Sequence, residues 1–401
     1  MSGVIRTPST LLIRGRAVFT ESDIHTSEYE KRIAKIQKLI KAQKIGALIV
    51  GGEAFDQASY TYVTGYLATV WWPGRTNYVV IPQNQGPIMI ASAGPRDLPF
   101  LKTQTWIQNI RPAKNLITEA ANVTKSLSPR VKKIGLAWIS QSKKADDYRT
   151  LRSNLPNLKF VQMNDRLEDL RKIKSENEIS LVRKACRALD LEHETLLRNL
   201  KPGITECEVE AKADRMARLE GARDLRMLWS IGHEGHPILI PSRERELSKE
   251  DHVSWFGAVE YAGYWAEVGR VFSLGEPTPA LANMHNAANV ALEIGVKTIK
   301  PGVKLSKVHD EIQRSLKASS YDGSIQTDYG FGHAIGLDRA EKPFITHASN
   351  ELIKSGMIFS LRIPLHKSRE ASVLIGDTIL VTEDGNERLT RSSQDLVTIR
   401  E

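Results

Sequence analysis

The 401-residue sequence lacks several features that would place it in a specialised class of protein. It has no run of about 18 apolar residues, which a membrane-spanning helix requires. Its first residues show no basic segment followed by a sustained apolar core, which a secretory signal requires. Its two cysteines, Cys186 and Cys207, form neither a disulfide framework nor a metal-spaced cluster. These absences predict a cytoplasmic protein that does not associate with membranes.

A stretch of basic charge is also missing, although the formal net charge is +9. The basic residues alternate with acidic ones, as they do in the segment 241–251. Nucleic-acid-binding proteins usually carry a basic patch or a recognisable motif, and the sequence has neither. We therefore expect a solvated, mixed-charge surface and no nucleic-acid partner.

The residues that are present indicate two globular domains. A hydrophobic content of 41% and a charged content of 26% are typical of soluble proteins, and the length exceeds one ordinary core. A helical apolar spacing over residues 27–45 precedes strand-like runs at 47–50, 78–81, 87–91 and 133–137. This alternation predicts a small α/β domain over residues 1–160 and a second domain over residues 161–401.

The second domain is predicted to begin with a charged helix and to repeat itself weakly. The helix covers residues 166–199 and is stopped by Lys201-Pro-Gly-Ile-Thr205. A similar segment, Lys300-Pro-Gly-Val-Lys304, follows about 100 residues later, and each segment precedes a further helical stretch, at 206–220 and 305–317. Two such units predict a duplicated architecture around one sheet.

Three motifs in the second domain carry a resemblance to a known superfamily. They are the segment 260–275 with its Gly263-Tyr264 turn, the segment Gly332-His-Ala-Ile-Gly336, and the segment 355–360. They resemble the pita-bread superfamily, which contains methionine aminopeptidase, prolidase, aminopeptidase P and creatinase. The resemblance covers nearly the whole chain. It implies an α/β (α+β) fold, with a small N-terminal creatinase-type domain and a C-terminal pita-bread domain built on a curved antiparallel sheet.

Peptidases of this superfamily hold two metal ions with five side chains. The resemblance places the following residues at those five positions: Phe256, Glu267, His333, Arg362 and Gly376. A further histidine of the family aligns with Ala340. Only Glu267 and His333 could bind a metal, whereas a catalytic site usually needs three protein ligands and a metal pair needs bridging carboxylates. We therefore expect no metal and no other cofactor.

Creatinase works without a metal, and the sequence also resembles creatinase and ectoine hydrolase in other segments. The segment 229–237 aligns with the loop that carries the creatinase acid/base, which implies this role for His236, with His233 as the second choice. A neutral imidazole can deprotonate water and then protonate a leaving nitrogen. The alternative is a surface loop rich in glycine and histidine.

The same resemblance implies a homodimer in which the N-terminal domain closes over the partner's active site. Arg75 and Trp72 lie in the segment expected to do so, and Arg75 could clamp a substrate carboxylate. Creatinase carries a glutamate where this chain has Gly269, so the guanidinium-binding carboxylates of creatinase are not reproduced.

The remaining candidate residues are expected to bind substrate around Glu267. Glu267 and Glu260 share one hairpin, and Phe256 provides an apolar wall beside which a carboxylate could bind a cation or attack as a nucleophile. Arg362 could hold an oxyanion or a substrate carboxylate. Alternatively, Glu267 pairs with Arg270 or Arg362 in an inert relic.

The leading hypothesis is a metal-independent hydrolase that cleaves a C–N bond in a small, nitrogen-rich metabolite, such as an amidine, a urea or an amide. Two alternatives stay open. One is a non-catalytic pita-bread protein that binds a partner. The other is a metal-dependent Xaa-Pro peptidase with a displaced metal set formed by His233, His236, Glu267 and His333.

Overall fold

A computed structural model describes residues 23–53, 57–67, 76–127, 132–137, 145–233, 239–319, 321 and 330–399. The chain divides into two compact units, of which the first ends at Arg171 and the second begins at Lys172. The sequence pattern predicts a boundary at residue 160. In the structure the first unit extends further, because strand 159–162 pairs with strand 133–137 of the first sheet.

The first unit is a six-stranded sheet with helices. Its elements within the described residues are α1 (Thr26–Ala42), β1 (Ala47–Gly52), α2 (Ala58–Thr64), β2 (Asn77–Pro82), β3 (Ile88–Ala91), α3 (Leu98–Lys102), β4 (Ile110–Pro112), α4 (Leu116–Leu127), β5 (Lys133–Ala137), α5 (Ala145–Asn154), β6 (Lys159–Gln162) and α6 (Asn164–Arg171). The strand order is β4-β3-β2-β1-β5-β6. The four predicted strand-like runs correspond to β1, β2, β3 and β5.

The second unit is a nine-stranded sheet with four long helices in its described part. Its elements are α7 (Glu176–Asn199), α8 (Glu206–Leu219), β7 (Asp224–Gly232), β8 (His252–Tyr261), β9 (Tyr264–Ser273), α9 (Pro279–Thr298), α10 (Leu305–Ala318), β10 (Gly332–Ala334), β11 (Glu341–Phe344), β12 (Ile358–Lys367), β13 (Ala371–Val381), β14 (Asn386–Arg388) and β15 (Val397–Thr398). The main order is β11-β10-β12-β13-β9-β8-β7, and these neighbours are antiparallel. Among the described helices of both units, none is long and apolar enough to cross a membrane.

The predicted single helix over residues 166–199 is wrong, because the chain forms two helices there. Ser175 lies between α6 and α7, and its hydroxyl accepts a hydrogen bond from the backbone N–H of Glu178. The Glu178 carboxylate in turn accepts one from the backbone N–H of Ser175. This reciprocal capping box satisfies two N–H groups that a helix start leaves without intrahelical partners, so it fixes the beginning of α7.

The predicted repeat corresponds to two helix pairs, α7–α8 and α9–α10. Gly203 and Gly302 occupy equivalent turns, with φ of +83° and +82°, a left-handed conformation that glycine adopts without steric cost. The N–H of Gly203 donates to Leu247 O, and that of Gly302 donates to Ile353 O. Each turn is therefore tied to a later segment of its own half, which explains why the same Pro-Gly sequence occurs twice.

Candidate active site

One face of the large sheet packs on helices, and the opposite face carries the candidate site. Alternate residues of β12 belong to the apolar core that α9 and α10 form with the sheet, namely Phe359, Leu361, Ile363 and Leu365. Because side chains alternate along a strand, Ser360 and Arg362 lie on the other face. The period-two pattern of this strand thus separates core from site.

The register of the strands aligns the site residues in two neighbouring rows. In the first row His333 pairs with Ser360, and Ser360 pairs with Thr378. The Thr378 hydroxyl continues this row to β9, since it donates to the carbonyl of Glu267 and accepts from the N–H of Glu267. The second row contains Arg362, Gly376, Gly269 and Phe256. All five positions that the resemblance assigns to the superfamily's metal ligands therefore lie within two adjacent rows.

The Glu267 carboxylate is the centre of what we call the Glu267 cluster, which contains Glu267, His333, Arg339, Ser360 and Arg362. Arg339 Nη1 lies 2.8 Å from one carboxylate oxygen, and Ser360 Oγ donates to the other at 2.5 Å. That second oxygen also lies 3.5 Å from His333 Nε2 and 3.7 Å from Arg362 Nη1. Glu267 is 1% exposed, so these groups replace the water that an exposed carboxylate would have.

The charges of this cluster follow from its geometry. Burial raises the pKa of the Glu267 carboxyl, but Arg362, His333 and Arg339 outweigh burial and hold this pKa below its usual value. Burial lowers the pKa of His333. The Glu267 carboxylate opposes this effect and the charge of Arg362 adds to it, and the resulting pKa is about 4. At neutral pH the cluster therefore has one carboxylate, one neutral imidazole and two guanidinium groups, with an excess of positive charge.

The two glycines of the second row leave room for the arginine and exclude other side chains. A Cβ atom at Gly376 would lie 2.7 Å from Leu361 O and 3.0 Å from Arg362 Cγ. A Cβ atom at Gly269 would lie 3.1 Å from both Gly376 N and Leu374 O. The Arg362 side chain runs past Gly376, and its Cζ lies 5.6 Å from the centroid of the Phe256 ring. A carboxylate at either glycine would need the backbone to move.

The residues of the Glu267 cluster do not fit the two-metal site of the superfamily. Glu267 and His333 have donor atoms for a metal, but Phe256 and Gly376 have none. The guanidinium of Arg362 cannot bind a metal, and it brings positive charge to the carboxylate that would serve as a ligand. Arg339 does the same at the other carboxylate oxygen. The structure thus gives a cation-rich site in place of a metal cage.

The other predicted residues lie elsewhere or outside the described residues. Glu260 accepts hydrogen bonds from Arg223 at 2.7 Å and from the N–H of Gly263 at 2.6 Å, so it stabilises the β8–β9 turn. His233 is exposed at the end of β7, with its ring 5.7 Å from the ring of His252. His236, Arg75 and Trp72 lie outside the described residues.

The structure also decides between the two partners that Glu267 could take. Arg270 does not pair with Glu267, because its Nη2 lies 2.7 Å from Asp377 Oδ1 and its Nη1 donates to Gly376 O. Arg339 is the partner that sequence reasoning missed. Arg339 immediately precedes Ala340, which aligns with a family histidine. This alignment is the feature of the sequence that could have indicated that Arg339 lies near the site.

Comparisons with known proteins agree with this architecture. Residues 180–383 match the profile described as "Metallopeptidase family M24", and residues 32–173 match that of the "Creatinase/Prolidase N-terminal domain". An uncharacterized peptidase of Staphylococcus aureus is 30% identical over 227 residues, which are 56% of this chain and 64% of that protein. The Xaa-Pro dipeptidase of Pyrococcus horikoshii is 26% identical over 241 residues, or 59% of this chain and 68% of that protein. The chain thus matches about 64% of the length of the first of these relatives.

Solved structures show the same fold at low sequence identity. The prolidase from Pyrococcus horikoshii has a TM-score of 0.80 at 20% identity and covers 92% of this chain and 100% of its own. The dipeptidase PepE from Mycobacterium ulcerans has a TM-score of 0.79 at 22% identity and covers 96% and 100%. The predicted two-domain pita-bread fold is confirmed. The closer resemblance to creatinase and ectoine hydrolase stays a prediction, because the relatives named here are peptidases.

Proposed function

This chain belongs to the metallopeptidase family M24, and on that premise we propose that it hydrolyses a peptide-like C–N bond in a small anionic substrate without a metal ion at the Glu267 cluster. The observation that carries the proposal is the contact of one ionised carboxylate with two guanidinium groups. A metallopeptidase would place metal ions at these positions. Here, fixed positive charges take over the binding of negative charge.

Arg339 and Arg362 are the residues that would bind the substrate. Their side chains are 33% and 20% exposed, so solvent or a ligand can reach them, whereas the carboxylate between them is buried. Guanidinium groups form strong charge-assisted hydrogen bonds to carboxylates, and they stabilise an oxyanion that develops in a transition state. Two cations against one anion leave positive charge for the substrate to neutralise. A substrate carboxylate, or the tetrahedral oxyanion itself, fits this charge.

Glu267 would position these two arginines rather than act as the base. A carboxylate whose pKa is lowered binds a proton weakly, so Glu267 is poorly suited to deprotonate water. His333 is neutral and buried beside it, and its Nδ1 donates to the carbonyl of Ala334, which leaves Nε2 facing the carboxylate without a proton. The two guanidinium groups are therefore what keeps the carboxylate ionised. We assign proton transfer to His236, with His233 as the alternative, as the sequence analysis expects. We also retain the homodimer, in which Arg75 of the partner would complete the substrate site.

A metal-dependent Xaa-Pro peptidase is the second candidate, and the relatives favour it because two of the four described above are named as a prolidase or an Xaa-Pro dipeptidase. It would need a displaced metal set formed by His233, His236, Glu267 and His333. Of these residues, Glu267 and His333 lie 3.5 Å apart, so together they could provide two ligands. The neighbouring guanidinium groups oppose such a metal by charge repulsion.

Substrate screening in the presence of a chelator distinguishes the two candidates. Untagged protein would be assayed with Xaa-Pro dipeptides, other dipeptides, amidines, ureas and cyclic amides, each with EDTA or with added Mn²⁺. The proposal expects turnover that EDTA leaves unchanged, and a KM that rises about tenfold or more in Arg362→Ala. Arg198→Ala, on an exposed side chain of α7, is the matched control and should behave as wild type. Turnover that requires Mn²⁺ and is lost in EDTA would overturn the proposal in favour of the metallopeptidase.

A further inference from the structure

We propose that His309, Asp310 and His347 form a binding site for a divalent transition-metal ion such as Zn²⁺, separate from the Glu267 cluster. We call these three residues the histidine cluster. A metal site needs at least three histidine, cysteine or acidic side chains whose donor atoms lie close together. Among the described residues, the histidine cluster is the one group that meets this condition. These donor atoms all lie within 4.8 Å of one another.

The distances in the histidine cluster suit a metal with few changes. Asp310 Oδ1 lies 2.8 Å from His347 Nδ1 and 3.1 Å from His309 Nδ1. Bond lengths near 2.0–2.1 Å and tetrahedral angles place zinc ligands about 3.4 Å apart, so the two distances from Asp310 Oδ1 would have to lengthen by roughly 0.3–0.6 Å to admit the ion. Both imidazoles already direct the same nitrogen at the same carboxylate oxygen. A metal would replace the protons that these nitrogens share with the carboxylate.

The backbone around the histidine cluster brings its two segments together before any ligand binds. His309 and Asp310 lie on α10, and His347 lies in the segment that follows β11. The first turn of α10 donates to this later segment, from Leu305 N to Glu351 O and from Ser306 N to Ser349 O, each at 3.1 Å. The site therefore needs little ordering of the chain, which reduces the entropic cost of binding.

The donor type and the exposure of the cluster favour zinc, cobalt, nickel or copper over calcium or magnesium. Two imidazoles and one carboxylate are ligands that borderline transition metals prefer, whereas calcium and magnesium prefer oxygen ligands throughout. The side chains of His347 and Asp310 are 80% and 43% exposed, so an ion can enter and keep water in its open positions. The ring of Phe331, 5.0 Å from the ring of His309, supports the buried side of the site.

Backbone hydrogen bonds connect the histidine cluster to the strand that carries His333, so a bound ion should stabilise this part of the fold. Phe331 N donates to Ile345 O at 3.0 Å, and Ile345 N donates to Gly332 O at 2.8 Å. A metal that joins His309 to His347 would therefore cross-link α10 to the hairpin next to His333. We expect a gain in thermal stability on zinc binding, because the ion binds the folded chain and not the separated segments.

Zinc titration of wild type and three variants tests this site. Untagged, chelator-treated wild type, His347→Ala and Asp310→Asn would be titrated with ZnCl₂ by calorimetry, and with CoCl₂ by visible absorption. His25→Ala is the matched control, since His25 is an exposed histidine at the N-cap of α1. The expected result is about one ion per chain in wild type and in His25→Ala, with affinity at least about tenfold lower in the other two variants.

The thermal midpoint should follow the same order, rising with zinc in wild type and in His25→Ala only. No saturable binding to wild type would overturn the proposal. So would equal affinity in wild type, His347→Ala and Asp310→Asn, because the ion would then bind elsewhere. Asp310→Asn preserves the shape of the site and removes its charge, so a lost affinity in that variant cannot be attributed to misfolding when its midpoint without zinc is unchanged.

Discussion

Two carboxylates of the second unit each lie between two nitrogen-bearing side chains, but the nitrogen groups differ in kind. Glu267 contacts the guanidinium groups of Arg339 and Arg362, whereas Asp310 contacts the imidazoles of His309 and His347. A guanidinium has five N–H donors and no lone pair to offer, while a neutral imidazole can give a lone pair to a metal. The Glu267 cluster therefore keeps positive charge of its own, and the histidine cluster can take up positive charge from solution.

Burial increases this difference. The Glu267 side chain is fully buried, and the Asp310 side chain is 43% exposed. Charge interactions weaken as solvent screens them, so the arginines act more strongly on Glu267 than a charged group at the same distance would act on Asp310. On our two proposals, the donor atoms that this chain has at each place, and not the metal positions of its superfamily, decide where it binds a metal.

Of the changes considered, Glu267→Gln is expected to have the largest effect, which is a loss of activity. The amide has no charge to hold the two guanidinium groups, so their positions for substrate binding should be lost. We expect kcat/KM to fall by about 10²–10³-fold, the range found for removal of a group that stabilises transition-state charge. Glu276→Gln, at an exposed glutamate after β9, is the control and should retain wild-type activity. A Glu267→Gln protein within a few-fold of wild type would show that the cluster does not organise the reaction.

A smaller effect is expected from acid, through His333. The pKa of His333 is about 4 in the folded chain and about 6.5 in the unfolded chain. Between these pH values the unfolded chain binds a proton at this residue and the folded chain does not. The free energy of unfolding should therefore be highest above pH 6.5 and fall by up to about 3 kcal/mol towards pH 4. The lowered pKa of Glu267 acts in the same direction further into acid, since its stabilisation is present above about pH 4.3 and is lost below it.

Urea unfolding at several pH values measures this dependence. His333→Gln should show a shallower fall between pH 6.5 and 4 than wild type, and His25→Ala should match wild type. His193, whose pKa burial also lowers to about 4, contributes the same slope to all three proteins, so their difference isolates His333. Equal slopes in wild type and His333→Gln would contradict the assignment of a neutral imidazole beside Glu267.

The smallest of the three effects concerns the space that Arg362 occupies. In Gly376→Ala the new Cβ would lie 2.7 Å from Leu361 O, and the strands would have to separate slightly. We expect a loss of about 1–3 kcal/mol in the free energy of unfolding, as for other overpacked sites. In Gly385→Ala the new Cβ meets no atom within 4 Å, so the change should stay within about 0.5 kcal/mol. Similar stability of the two variants would mean that Gly376 is not required by packing.

The sequence predicts those parts of the fold and the site that depend on local pattern. Apolar runs locate four of the six strands of the first sheet, because a buried strand needs continuous apolar residues. The superfamily motifs place Phe256, Glu267, His333, Arg362 and Gly376 in one site, because each motif lies on a strand whose register is fixed by its own hairpin. These residues lie together in the structure as their motifs predict.

The parts that the sequence does not predict depend on contacts between distant segments. Arg339 lies in the turn between β10 and β11, and no local pattern indicates that its side chain reaches across to Glu267. His309 and His347 are far apart in the chain and meet only because α10 is hydrogen-bonded to the segment after β11. The break between α6 and α7 was visible as Ser175 and Glu178, but the charged residues around it resemble a continuous helix.

Metal content, measured by plasma mass spectrometry together with activity, tests directly whether a metal binds at the histidine cluster and not at the Glu267 cluster. Untagged wild type and His347→Ala would be treated with chelator, supplied with zinc or manganese, and freed of excess metal by gel filtration. We expect about one ion in wild type, less than about a tenth of an ion in His347→Ala, and equal turnover in both. One or two ions retained by His347→Ala, with turnover that depends on them, would contradict it and place a metal at the Glu267 cluster.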